Sequence, residues 1–231
     1  MKKILIIIPA RKGSKGIKNK NIVSVCGKPL IEYTIVPALR LKREKIATEV
    51  IVSTDSQKIA DIAKRLGVNV PFLRPQAISG DKAKSIDFVL HALNYFKNNG
   101  FFYDIVVILQ PTSPLRDYYD IKKAMDIYLN NKNDSLISAY GEEKINDLMI
   151  YHKKNNLAIP LKSAHSKGVI RQEQEDIYIR NGAIYISSVK FIEKFRRIIS
   201  DSPLMYAMPK NRSLNIDIPA DLTMLRKILC R

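Results

Sequence analysis

Between Arg11 and Asn21 the chain reads RKGSKGIKNKN, which sets five cations, Arg11, Lys12, Lys15, Lys18 and Lys20, within ten residues and threads Gly13 and Gly16 among them. Side chains of these types suit an anion. The cations supply charge, and the glycines allow close backbone approach and positive φ, so that N–H groups and cationic heads together can cradle a phosphate. Chemistry begins at Ala10, where the preceding apolar run stops, and Ser14, Asn19 and Asn21 add short polar reach. The spacing is neither the Walker pattern nor a dinucleotide fingerprint, so a nucleotide bound in another style fits better. On charge alone, a solvated basic loop behind a core strand is the simpler account.

Two other stretches carry groups with chemical reach. Gln110-Pro-Thr-Ser-Pro-Leu-Arg116 offers an amide that both donates and accepts at Gln110 and hydroxyls at Thr112 and Ser113, the equipment for reading a pyrimidine edge, with two prolines to stiffen the reader. The same residues would equally make a braced turn whose hydroxyls cap the following helix. Asn215-Ile-Asp217 aims alternate side chains at one face of an extended segment, a spacing that suits metal ligands, or else leaves Asp217 as a helix N-terminal charge. His91, His152 and His165 share no spacing that would build a triad or a metal cluster.

These groups need a frame. Ile4 to Ile8 is short, apolar and rich in β-branched residues, as expected of a strand covered on both faces, and Pro9 cannot continue its ladder. Thr48 to Ser53, Val68 to Leu73, Asp104 to Leu109 and Ser135 to Tyr140 read as further strands. Helices are predicted over Leu30 to about Lys42, Gln57 to Leu66, Ser85 to Asn98 and Asp120 to Asn131; Thr54, Asp55 and Ser56 offer cap oxygens to the second, and Asn99-Gly100 stops the third. Asp55 fits a capping or loop-fixing role. The alternation predicts a doubly wound, mostly parallel α/β sheet of Rossmann-like type, with ligands beyond the carboxyl ends of the strands. The loops after Ile8 and Leu109 then share one edge. Farther on, Asn181-Gly182 predicts a turn before a strand at Ala183 to Ser187, followed by a helix from Val189, a strand at Leu204 to Met208 and a helix from Pro219 to Cys230. Residues 141–180 are polar and uneven in period, so 1–231 reads as one domain with an extended arm inserted there.

A chain of 231 residues can bury roughly 70% of its unfolded surface in a single core. Its net charge of +17 fits anionic substrates or nucleic acid, but no aromatic residues interleave with the basic ones and no recognition-helix pattern appears. Cys26 and Cys230 lack paired spacing, so neither a zinc site nor a disulfide is expected and a reducing cytoplasm is the default. The apolar run of MKKILIII is shorter than the ~7–15 residues of a signal peptide, and nothing approaches the ~18 of a membrane span.

Ile4 to Asn21 resembles the signature of the CMP-sugar synthetases, the cytidylyltransferases that activate sialic acids and related nine-carbon acids. The resemblance recurs at Leu109 to Arg116, at Asn181 to Ile186 and, less closely, at Ser213 to Leu222, in family order over nearly the whole chain. It implies CTP as co-substrate and transfer of CMP to the anomeric hydroxyl of an acidic α-keto sugar, with release of pyrophosphate, for cell-surface polysaccharide. Ala10, Arg11, Gly13, Ser14, Lys15, Lys20 and Asn21 would meet the phosphates; Arg74, Ser85, Gln110, Thr112 and Ser113 would hold the nucleoside. Arg11, Lys20 and Asp217 would carry catalysis, and Asp217 would hold Mg²⁺ together with Asn215. Gln110, Arg171, Arg180 and Asn181 would face the sugar, and the arm would make a homodimer, with neither nucleic acid nor membrane as partner. Two departures stand out: the family usually has aspartate where this chain has Asn215, and proline where Arg180 precedes Asn181. A synthetase for the eight-carbon acid of lipopolysaccharide, or a non-catalytic nucleotide-binding protein, is the alternative.

Overall fold

The structure, a computed structural model, describes residues 2–14, 16–143, 147–166 and 176–230. Its frame is a six-stranded sheet of β1 (Ile4–Pro9), β4 (Glu49–Ser53), β5 (Ile105–Leu109), β6 (Ser135–Gly141), β9 (Tyr178–Ser188) and β10 (Leu204–Ala207), in the order β10-β6-β9-β5-β1-β4. All neighbours run parallel except β9, which pairs antiparallel with β5 and β6. The doubly wound, mostly parallel fold expected from the alternation is therefore present.

Why the sheet is buried on both faces follows from the period of two along a strand. Ile4, Ile6 and Ile8 of β1 point into a core shared with α1 (Glu32–Arg43), α2 (Gln57–Arg65) and α4 (Tyr118–Asn130). Leu5 and Ile7 point the other way, to α3 (Ser85–Asn98) and α5 (Val189–Phe195). Each such side chain stabilises the fold by roughly 1.5–3 kcal/mol. Helix ends obey local chemistry: Ser56 Oγ accepts from the N–H of Ile59 at the head of α2, and Asp117 from that of Asp120 at the head of α4. Among the described residues no helix is long and apolar enough to cross a membrane.

Three expectations are corrected. Residues 68–73 form only isolated bridges, Ile51 to Asn69 and Thr54 to Leu73, because Pro71 removes a ladder donor in the middle. Asn181 and Gly182 do not precede a strand but lie inside β9, where the register against β6 shifts and Gly182 takes φ 75°, a left-handed value that glycine meets without strain. Cys26 and Cys230 form a disulfide across 204 residues, with Cα atoms 5.4 Å apart. Cys26 and Gly27, both at positive φ, make the turn between β2 (Ser24–Val25) and β3 (Lys28–Pro29), and Cys230 ends α6 (Pro219–Leu229). The bridge closes a small separate core of Ile17, Val25, Leu30, Ile216, Leu222 and Leu225.

The arm contributes a two-stranded hairpin, β7 (Tyr151–Lys154) and β8 (Leu157–Pro160), which leaves Met149, Tyr151, Leu157, Ile159 and Leu161 exposed.

Candidate active site

Beyond the carboxyl ends of β1 and β5 lies a cavity of about 350 Å³, walled by the loop after β1, by residues 74–88 and by the loop after β5. The first loop is anchored before it reaches the cavity. Ala10, fully buried, donates its N–H to Ser53 O at 2.9 Å, and the N–H of Lys12 donates to Asp55 Oδ1 at 2.6 Å. Asp55 thus fixes the loop rather than capping α2. Asn21, 7% exposed, closes the loop on itself by donating from Nδ2 to Arg11 O at 2.9 Å.

Of the two uses expected of the glycines, close backbone approach and positive φ, the structure shows the first, at Gly16. Among the described residues of this loop the left-handed one is Asn19, at φ 54°. Gly16 is needed for close approach instead: a Cβ there would lie 2.0 Å from the backbone oxygen of Asp217. Gly13 lines the cavity, and a Cβ added to it would meet nothing within 4 Å. Arg11, Ser14, Lys20 and Asn21 share that wall. Lys15 lies outside the described residues.

Two of the loop's cations are matched across the cavity. Arg11 Nη1 donates to Asp81 Oδ1 at 2.7 Å; Lys20 Nζ donates to Asp217 Oδ1 at 2.9 Å and to Ile216 O at 2.8 Å. Arg74 is no surface arginine. Buried, it donates to Ser53 Oγ and Ser53 O and stacks over the Phe88 ring at 5.0 Å. Burial, with the charge of Arg11 nearby and Asp55 opposing, pushes its guanidinium down to about 10. Ser85 opens α3 and lines the cavity, while the N-terminal bond there runs from the N–H of Lys84 to Asp87 Oδ2.

The facing wall is Gln110, Pro111 and Thr112. Its brace is Arg116, fully buried, which donates to Gln110 O at 3.1 Å, Ala183 O at 2.8 Å and Thr34 Oγ1 at 2.7 Å. Burial holds this guanidinium down to about 9, with Asp120 pulling the other way. Beside it Asp120, itself buried, binds Arg212 and the Tyr206 hydroxyl. Burial would raise the Asp120 carboxyl, but the bonds from Arg212, the Asp117 N–H and Tyr206 outweigh it and leave it low. Ser113 is placed behind the wall, buried, its hydroxyl without a partner among the described residues.

Residues 215–217 join the walls. The N–H of Ile216 donates to Thr112 O at 2.8 Å while its carbonyl accepts from Lys20. Asp217 faces the cavity, and Asn215 turns its amide N–H toward Asp217 Oδ2. Among the described residues no group of three or more His, Cys, Asp or Glu gathers as a metal cage. One carboxylate with a neighbouring amide does fit Mg²⁺, which keeps waters and takes substrate phosphates as its remaining ligands.

Of the described residues expected at the sugar, Gln110 lines this cavity and Arg180 and Asn181 do not. Arg180 is exposed on β9, its guanidinium 6.0 Å from the Tyr185 ring centroid. Asn181 is buried and spends its amide internally, accepting from Ser138 Oγ at 2.6 Å and from the N–H of Ala183, and donating to Ser213 Oγ at 2.9 Å and toward Met208 Sδ. Arg171 lies outside the described residues. Two groups went unnoticed in the sequence: Asp81, whose polar loop looks like solvent-facing chain, and Arg116, whose burial no local pattern reveals.

Residues 5–228 match the cytidylyltransferase family model. The chain belongs to that family. A cytidylyltransferase of this kind is 34% identical over 98% of the chain and 96% of the relative to the CMP-N,N'-diacetyllegionaminic acid synthase of Legionella pneumophila. It is 32% identical to the pseudaminic acid cytidylyltransferase of Campylobacter jejuni, over 95% of the chain and 93% of the relative. Identity to the N-acylneuraminate cytidylyltransferase of Streptococcus agalactiae is 34% over 95% of the chain but 51% of the relative, so the chain spans about half the length of that protein. In fold it matches a CMP:2-keto-3-deoxy-manno-octonic acid synthetase complexed with CTP, with a TM-score of 0.72 over 99% of the chain and 98% of the other at 17% identity.

Proposed function

We propose that this cytidylyltransferase transfers CMP from CTP to the anomeric hydroxyl of an acidic nine-carbon α-keto sugar of the sialic, legionaminic or pseudaminic type, releasing pyrophosphate. The observation that carries this reading is the Ile216 peptide, whose N–H binds the Thr112 wall and whose carbonyl binds Lys20, so that a base reader, a cationic loop and Asp217 meet in one cavity. The three relatives' names support the sugar class.

In this mechanism Gln110 and Thr112 hold the cytosine, with Ser113 stiffening the loop behind them and Arg74 and Ser85 flanking the nucleoside. Ala10, Gly13, Ser14, Lys15 and Asn21 shape the phosphate cradle; Arg11 and Lys20 bind the phosphates. The anomeric hydroxyl gives up its proton to solvent or to the sugar's own groups, and its oxygen forms a bond to the α-phosphorus in line as the bond to the bridging oxygen breaks and pyrophosphate leaves. That displacement asks for positioning and charge stabilisation and needs no protein nucleophile. Mg²⁺, when bound by Asp217 and the amide oxygen of Asn215, would neutralise charge on the phosphates. Arg171 and Arg180 are the cations assigned to the sugar carboxylate, with Gln110 meeting the sugar from the cavity wall and Asn181 holding the bulge of β9 next to Arg180. The exposed apolar residues of the 141–180 arm support a homodimer formed through it. The enzyme works in the cytoplasm, where CTP is supplied, without nucleic acid or membrane as partner; its cysteines, being paired, no longer argue for that compartment. Its product serves cell-surface polysaccharide.

The test is pyrophosphate release from CTP and Mg²⁺ with sialic, legionaminic and pseudaminic acids in turn. Arg11→Ala should lower kcat/KM for CTP on the order of a hundred-fold without changing Tm. Near-wild-type turnover in that variant would remove the phosphate role, and CTP binding without turnover on any acid would mark a non-catalytic protein.

A further inference from the structure

Arg11, the first cation of the phosphate cradle, is already bonded to a carboxylate within the same cavity. Its Nη1 donates to Asp81 Oδ1 at 2.7 Å, and both side chains are partly open to solvent, 35% for Arg11 and 46% for Asp81. Asp81 stands on the opposite wall, on a segment whose backbone bonds are local: Ile78 to Pro75, Ser79 to Gln76 and Ala83 to Gly80. The pair therefore spans the cavity from residues 76–84 to the loop after β1. Of the residues lining the cavity, Asp81 and Asp217 are the two that carry a carboxylate. Asp217 is matched by Lys20 and adjoins Asn215, which gives it a place in phosphate and cation binding. A carboxylate facing a polyphosphate repels it, and a carboxylate bonded to Arg11 takes up a donor that a phosphate oxygen would use.

We infer that Asp81 competes with the substrate's phosphates for Arg11, weakening the cavity's grip on polyphosphate and so speeding release of pyrophosphate. The inference rests on the reading of Arg11 as a phosphate contact. Before transfer, a triphosphate carries enough charge to draw Arg11 from Asp81. After it, pyrophosphate stands alone and Asp81 takes the guanidinium back. Asp81 is thus a positioning residue, acting on the ligand through Arg11.

Asp81→Asn tests this on the full chain. Its Kd for CTP, and its inhibition constant for pyrophosphate, should each fall on the order of three- to ten-fold, the size of one partly screened charge. Salt dependence of CTP binding should steepen, because the cavity gains one net positive charge. Asp81→Glu should restore wild-type affinity, and Tm should hold in both variants because the site is an exposed loop; should Asp81→Asn fail to fold, Asp81→Ser serves. In an Arg11→Ala background the Asp81→Asn tightening should shrink, the mark of coupling through that side chain. Unchanged or weaker pyrophosphate binding in Asp81→Asn, or equal tightening with and without Arg11, overturns the inference. The two readings fail separately: if Arg11→Ala binds CTP and pyrophosphate like wild type, the phosphate role of Arg11 falls and the inference with it. If Arg11→Ala weakens both and Asp81→Asn tightens neither, the inference alone falls.

Discussion

Of the two loops that meet across the cavity, residues 10–21 meet other segments through partly exposed ion pairs, whereas residues 110–116 are fixed by a buried arginine of their own. The first loop rests on the satellite core of Ile17, Val25, Leu30 and Ile216, stapled at its far side by Cys26 and Cys230, and its cations are partnered by Asp81 and Asp217 on other segments. The second is hung on Arg116, a buried cation that ties Gln110 to α1 and β9. The difference is physical. Partly exposed ion pairs contribute little to stability and can exchange partners, which suits phosphates that arrive and leave. A buried guanidinium bonded to two carbonyls and a hydroxyl cannot move without giving up all three bonds, which suits a base reader that must keep its shape.

Breaking the staple should give the largest effect. For a loop of 204 residues the chain-entropy model puts the disulfide's contribution at about 5 kcal/mol, equivalent to a Tm loss of roughly 10 °C or more. Cys26→Ser, or reductant on the wild type, should therefore lower Tm, and should weaken pyrophosphate binding more than cytidine binding, because the phosphate loop buries Ile17 in that core whereas the base-reading loop meets it at the edge, through Leu115. Equal loss for both ligands would mean that the two loops are not braced separately. Next comes Arg116→Met, which takes the guanidinium from the Ala183 carbonyl and the Thr34 hydroxyl and leaves Gln110 O with the bond from the Ser113 N–H alone, and should cost about 3 kcal/mol in urea unfolding. Here the ligand pattern should invert, with cytidine affinity falling and pyrophosphate affinity held.

The same contrast sorts what the sequence revealed. The cationic loop, the strand runs and the amphipathic helices are legible because each is a local pattern, and α3 runs from Ser85 to Asn98 as its apolar stripe predicts. Relations between distant segments were not. Two cysteines 204 residues apart carry no sign of meeting, and the family's usual aspartate, absent at 215, gave no hint that Asn215 would turn toward Asp217. Asn181-Gly182 looks like a turn by composition, yet β5 and β6 pair on either side of it and draw it into a strand with a bulge. Asp81 sits in ISGDKAK, where nothing but the fold brings it to Arg11.

Gly16 sharpens the comparison at smaller cost. A methyl placed there meets the Asp217 carbonyl, which is backbone and cannot swing aside. Gly16→Ala should destabilise by roughly 1–3 kcal/mol through overpacking and shift the first loop away from Asp217. CTP turnover should fall more than stability accounts for, while cytidine binding stays near wild type. Turnover that merely tracked the folded fraction would show that the close approach serves packing and leaves the site untouched.

The smallest effect is expected at Asn215, the position where the two loops' shared bridge departs from the family pattern. Its amide now donates to Asp217, so the segment presents one carboxylate where two would usually stand. Asn215→Asp removes that donor and sets a second negative charge beside the first. In the exposed setting of Asp217 the repulsion costs a few tenths of a kcal/mol, and a divalent ion relieves it. The Mg²⁺ concentration for half-maximal activity should therefore fall several-fold, and added Mg²⁺ should raise the variant's Tm more than the wild type's, a readout independent of turnover. If neither moves, Asn215 is not a ligand, and Asp217 would serve the cation alone while Lys20 competes with it, much as Asp81 competes for Arg11 on the facing wall.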